Sequence, residues 1–137
     1  MVGRFEIGYK NVRMLLKQMA LVAIGGGAGS VLRFLAQKWI SLGPLPKLPI
    51  GTMTVNVMGC LLIGLLFGWF SKNPATTPDW KLFLMTGLCG GFTTFSAFTL
   101  ESMVLLESSR WTSFLLYVSG SVILGILATG AGYWFTK

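Results

Sequence analysis

Along the chain, apolar runs of about 20 residues, each long enough for one bilayer crossing, alternate with short polar connections. The runs cover residues 19–40, 51–70, 82–106 and 112–135, and the second and fourth contain no charged residue. All five prolines, Pro44, Pro46, Pro49, Pro74 and Pro78, fall in the two longer connections, where they remove no helical hydrogen bond. The tryptophans test these boundaries independently. An indole favours the headgroup level, half buried with its N–H in water, and Trp39, Trp69, Trp80, Trp111 and Trp134 all stand at or beside the end of a run. The pattern predicts an all-α membrane protein, a single transmembrane domain over residues 1–137 with four membrane-crossing helices. Residues 1–13 read as a polar N-terminal tail or lead-in holding Arg4, Lys10 and Arg13, and Met14 offers an alternative start. A cleaved signal peptide does not fit, because the first apolar run continues too far past the small residues 25–30.

Composition sharpens this reading. Hydrophobic residues make up 53% of the 137 and charged residues 11%, against roughly 25% charged in a soluble domain. Mean hydropathy is +0.71. The net charge of +7 could point to nucleic acid, but the cations lie between and beside apolar runs, where they mark membrane edges. Four crossings place both termini on one side. That side holds seven cations (Arg4, Lys10, Arg13, Lys17, Lys72, Lys81, Lys137) against three opposite (Lys38, Lys47, Arg110). Counted from Met14 the balance is four to three, which suits a chain that inserts both ways. With no His, and with Cys60 and Cys89 isolated in apolar surroundings, His-based catalysis is excluded. The two thiols show no metal-ligand spacing and read as small packing residues.

Polar groups inside the membrane are costly and either join helices or line a path. In the second run Thr52, Asn56, Cys60, Gly64 and Gly68 recur every four residues, on one helical stripe. The glycines read as a packing seam, and the Asn56 amide needs partners that lipid cannot supply. The first run has a parallel stripe, Gly25, Gly29, Arg33 and Gln37. Arg33 either snorkels to the interface or attracts an anion, and it stays charged. The fourth run carries Ser113, Tyr117, Ser121, Gly125, Thr129 and Tyr133, a row of hydroxyls that either bond back to their own helix or donate to a small hydrated anion.

The third run interrupts itself. Gly87, Gly90 and Gly91 precede the hydroxyl-rich, β-favouring residues 92–98, which predicts a helix broken mid-membrane. Such backbone survives at membrane depth only inside protein or beside a cavity, and its freed carbonyls could hold a cation. Glu101 is the only acid within a run.

These motifs resemble the Fluc (CrcB) fluoride channels of microbes over essentially residues 19–135. The likeness rests on Gly25 to Gly29 with Arg33, on Gly51 to Asn56, on Gly87 to Phe98 with Glu101, and on Tyr117 with Ser121. The resemblance implies an antiparallel, dual-topology homodimer with two fluoride pores, in the inner membrane of a prokaryotic cell, exporting fluoride passively and conferring fluoride resistance. It implies a structural Na⁺ at the dimer centre on the backbone carbonyls of Gly90 and Thr93. It places Asn56, Phe95, Phe98, Tyr117 and Ser121 along the fluoride path with Ser96 nearby, Arg33 in a vestibule, and Glu101 in assembly or gating. Aromatic ring edges carry the positive end of the quadrupole and could face an anion. Ala97 and Gly125 depart from the family pattern, each removing a hydroxyl.

Expected partners are therefore fluoride, lipid and a second copy of the chain, with no nucleic acid. Two rivals remain. A small multidrug transporter also has four helices but needs a carboxylate in its first helix to exchange protons for cationic drugs, and here that helix offers Arg33 and no acid. A nonconducting scaffold would use the stripes only as seams. An enzyme is disfavoured, since no nucleophile and base or metal cluster is visible.

Overall fold

The computed structural model describes the backbone of residues 2–40 and 48–137, with side chains from residue 11 onward. Pro44, Pro46 and Lys47, and the side chains of Arg4 and Lys10, lie outside the described residues. The elements are α1 (Val2–Ile40), α2 (Ile50–Lys72), α3 (Pro78–Lys81), a π-helical segment (Leu82–Cys89), α4 (Gly90–Phe92), α5 (Phe95–Glu107) and α6 (Trp111–Thr136). No strand occurs among the described residues.

Four spans are long and apolar enough to cross a membrane: Asn11–Ile40, Ile50–Lys72, Pro78–Glu107 and Trp111–Thr136. The second and fourth end within two residues of the expected boundaries. The third begins earlier than residue 82 because Pro78 occupies its first turn, where a missing N–H costs nothing. The first helix departs most. The stretch before residue 19, whose first 13 residues read as a tail or a lead-in, continues the first helix: α1 is helical from Val2, with no proline before Pro44 to stop it. Its 39 residues reach ~58 Å at ~1.5 Å each, far beyond a ~30 Å hydrocarbon core.

Two seams hold the bundle. α2 packs along α6, and α1 packs along the π-helical segment and α4. Each seam depends on positions without a side chain. A Cβ at Gly29 would stand 2.2 Å from the Leu88 carbonyl oxygen, and one at Gly64 would stand 2.2 Å from that of Thr129. The outward faces carry exposed Phe34, Leu115, Ile126 and Leu127, as expected where the solvent is hydrocarbon. α5 then turns tightly into α6. Arg110 N–H donates to Leu105 O and Ser109 N–H to Leu106 O, both at 2.9 Å, with Ser109 in the left-handed region at φ 55°, a Schellman closure. The turn lays α5 against α6.

Overpacking a tight seam costs about 1–3 kcal/mol. Gly29→Ala should therefore lower the resistance of the purified protein to denaturing detergent by that amount. Gly27→Ala, which would meet nothing within 4 Å, should leave the unfolding midpoint unchanged.

Candidate functional site

The site forms where the third span loses its helical geometry. Thr93 (φ −85°, ψ 156°) and Thr94 (φ −146°, ψ 118°) are extended between α4 and α5. In a continuous α-helix Gly90 O would accept from Thr94 N–H, and Thr93 O from Ala97 N–H. Both donors are diverted. Thr94 N–H donates to Asn56 Oδ1 at 2.8 Å, and Ala97 N–H donates to Thr94 Oγ1 at 3.3 Å, an N-cap for α5.

Asn56 also donates from Nδ2 to Thr94 O at 3.0 Å, so its amide clamps both polar groups of one residue, as a neighbouring strand would. The carbonyl of Gly91 is met from α1 instead, by Arg33 Nε at 3.2 Å and Ser30 Oγ at 3.4 Å. A cation at the carbonyl end of α4 also suits the local dipole. Thr93 turns back, its N–H and Oγ1 each donating to Cys89 O at 3.0 Å.

A second cluster joins four elements through Glu101. Thr52 Oγ1 donates to Glu101 Oε1 at 2.7 Å and Tyr117 OH to Oε2 at 2.6 Å. Gln37 Nε2 donates to Thr52 Oγ1 at 3.1 Å. Thr52 and Tyr117 are only 3% and 2% exposed, so these hydroxyls reach protein acceptors in place of water. From this cluster a line of rings leads back to the gap: Tyr117 to Phe98 with centroids 5.3 Å apart, and Phe98 to Phe95 at 5.7 Å. Phe95 is 76% exposed, and exposed Ser96 holds its Oγ 3.3 Å from Thr94 Oγ1. Ser121 Oγ is buried with no hydrogen-bond partner. The stripe on α2 thus has two uses: Thr52 and Asn56 serve the site, while Gly64 and Gly68 lie against α6.

Beside the gap an open hollow of about 530 Å³ is lined by Asn56, Cys60, Cys89, Gly90, Thr93 and Phe95, among others. Both cysteines are free thiols. A Cβ at Gly125, one of the departures noted above, would stand 3.4 Å from the Cys60 Sγ, an ordinary contact, so packing does not explain that departure.

The family described as CrcB-like protein, camphor resistance (CrcB), matches residues 20–133. The chain belongs to this family. With four helices able to cross a bilayer, it is a multi-pass membrane protein. Among its relatives, the fluoride-specific ion channel FluC of Flavobacterium psychrophilum is 47% identical over 89% of this chain and 98% of the relative. That of Phocaeicola vulgatus is 44% identical over 89% and 100%. That of Leptospira interrogans serovar copenhageni is 41% identical over 88% and 95%. These family members are named as channels, not as enzymes.

Of the residues that the resemblance implies for the path, Asn56 clamps Thr94, Phe95, Phe98 and Tyr117 form one line of rings, and Glu101 accepts from Tyr117. Sequence reasoning underrated Gln37, Thr52, Ser30 and Thr94. For Thr52 and Gln37 a signal existed, since each continues a spacing-of-four stripe and Glu101 needed donors. The hydroxyl row on α6 divides: Thr129 Oγ1 donates back to Gly125 O at 3.1 Å, and only Tyr117 and Ser121 stay in question for the site.

Each buried backbone group left unpaired costs about 1–3 kcal/mol. Asn56→Leu orphans the N–H and C=O of Thr94 and should speed amide hydrogen exchange across residues 93–97, while Asn56→Asp, which keeps the acceptor, should do so less. Glu101→Leu strands two hydroxyls and should destabilise the bundle by roughly 2–5 kcal/mol. Glu101→Gln keeps one acceptor and should cost clearly less in the same detergent unfolding assay.

Proposed function

We propose that this chain is a fluoride-selective channel, working as an antiparallel dual-topology homodimer with two pores in the inner membrane of a prokaryotic cell. Passive exit of accumulated fluoride would confer fluoride resistance. The observation that carries the reading is the clamped gap at Thr93 and Thr94, which presents the Phe95 and Phe98 rings beside polar donors at one level. The choice of ion rests on family members named as fluoride-specific channels.

In this reading Arg33 raises the anion concentration at a vestibule. Fluoride then exchanges water for the ring edges of Phe95 and Phe98, the Ser96 and Ser121 hydroxyls, and the Nδ2 hydrogen of Asn56 that Thr94 does not use. Ser121 supports this assignment because its buried Oγ has no protein partner. Tyr117 contributes its ring, its O–H being committed to Glu101. Glu101 joins α2, α5 and α6 and serves assembly or gating.

The carbonyls of Gly90 and Thr93 fit a structural Na⁺, since their helical donors turn to Asn56 and Thr94 and both residues line the same hollow. Two protomers would supply four hard oxygens, the donor type such a cation takes. Na⁺ there would supply positive charge to these carbonyls.

The test is efflux from liposomes loaded with fluoride or chloride, with a potassium ionophore and a fluoride electrode. Fast electrogenic fluoride release with little chloride release is expected. Phe95→Ile and Phe98→Ile should each slow it at least about tenfold, roughly 1.4 kcal/mol on the barrier, with dimers intact. No release from verified dimers in Na⁺ buffer would overturn the channel reading and favour a scaffold.

A further inference from the structure

At the membrane edge α1 and the start of the third span run side by side and leave a crevice of about 220 Å³ lined by Leu21, Asp79, Trp80 and Phe83. Lys17 Nζ donates to Asp79 Oδ2 at its mouth. Both walls change character in the same direction. On α1, one turn separates charged Lys17 from apolar Leu21. On the other wall, one turn separates Asp79 from Phe83, with the Trp80 indole 6.0 Å from the Phe83 ring. The depth at which charge gives way to hydrocarbon is marked independently, because exposed Trp69, Trp80 and Trp134 all stand at this end.

The two ends of the bundle also differ in charge. Among the residues whose side chains are described, this end exposes Arg13, Lys17, Lys72, Lys81 and Lys137 against the acid Asp79, while the other carries Lys38 and Arg110 against Glu107. Arg13 precedes Lys17 by one turn on the same face of α1.

We propose that this crevice seats one anionic phospholipid per protomer. Lys17 and the Trp80 indole N–H hold the phosphate, and an acyl chain lies along Leu21 and Phe83. A soluble anion would gain nothing from the apolar depth, and a peptide would have to enter it from within the bilayer. An amphiphile whose charge gives way to hydrocarbon over about one helical turn matches both walls. The surrounding excess of cations selects an anionic headgroup over a zwitterionic one. Asp79 competes with the phosphate for Lys17, so the ion pair works as a latch that the lipid displaces.

Native mass spectrometry of the protein, released from micelles containing equal phosphatidylglycerol and phosphatidylcholine of the same chain length, reads this directly. Phosphatidylglycerol should be retained preferentially. Lys17→Gln should reduce its retention about fivefold, the size of one lysine contact near a membrane surface, and Lys38→Gln at the opposite end should not. Asp79→Asn should raise retention, because the competitor is removed. Leu21→Trp fills the crevice without touching a charge and should lower retention of both lipids, which guards against misreading a poorly folded Lys17 variant. Equal retention of the two lipids, or loss of retention in Asp79→Asn as in Lys17→Gln, would overturn the proposal and leave the ion pair as a staple between α1 and α3.

Discussion

Hydrocarbon offers no hydrogen bonds, so every backbone group it surrounds must find a partner inside the protein. The arrangement around Thr93 and Thr94 follows from that constraint. Opening the helix there frees several groups at once, and the molecule answers with a side chain from each neighbouring element: Asn56 from α2, Arg33 and Ser30 from α1, and the Thr94 hydroxyl from the gap itself. The carbonyls of Gly90 and Thr93 are among those whose regular donors have been led away, Thr94 N–H to Asn56 and Ala97 N–H to the Thr94 hydroxyl. The gap is therefore held open by specific chemistry, and that chemistry also fixes where Phe95 and Phe98 emerge.

The partners can reach the gap only because the helices approach unusually closely. Gly29 brings the α1 backbone against Leu88 and the α4 turn, and one turn further along the same stripe Arg33 arrives beside Gly91. The stripe continues to Gln37, which meets Thr52 and through it Glu101. One helical row therefore runs from the Lys17 ion pair at the membrane edge, through a glycine seam, to the polar cluster. The π-helical winding of Leu82–Cys89 takes up the same contact from the other side, and such winding is frequent beside functional sites.

Much of this was legible in the residues. Apolar run length, proline placement and tryptophan position located the spans because each responds to the bilayer locally. Gly90 and Gly91 followed by β-favouring Thr93 and Thr94 contradict a helix over a short window, and Thr93 and Thr94 are the residues whose backbone is extended. The clamp was not legible, since Asn56 and Thr94 lie 38 residues apart and either could have paired elsewhere. Composition leaves open that α1 is helical from Val2, because a polar start to an apolar run reads equally as a tail or a helical lead-in where neither proline nor a cap marks a boundary. The hydroxyl row on α6 was legible only as a pair of alternatives. Spacing shows that side chains share a face, but it does not show which way each O–H points.

That polarity decides the hardest feature of the site, a carboxylate beside a proposed anion path. Thr52 and Tyr117 both direct their hydrogens at Glu101, which gives each of its oxygens a donor but turns the Tyr117 oxygen into an acceptor toward everything else. An anion passing Tyr117 therefore meets lone pairs at the oxygen and positive character only at the ring edge. The donors available to it are those that Glu101 does not claim. Ser121 lies one turn further along α6 with its hydroxyl unpartnered, and Asn56 keeps one N–H beyond the clamp. On this argument the path leaves the hydroxyl row at Tyr117 and follows the rings of Phe98 and Phe95. On the proposed path, Glu101 would then set the ion's course by occupying the Tyr117 donor that the hydroxyl row offered to it.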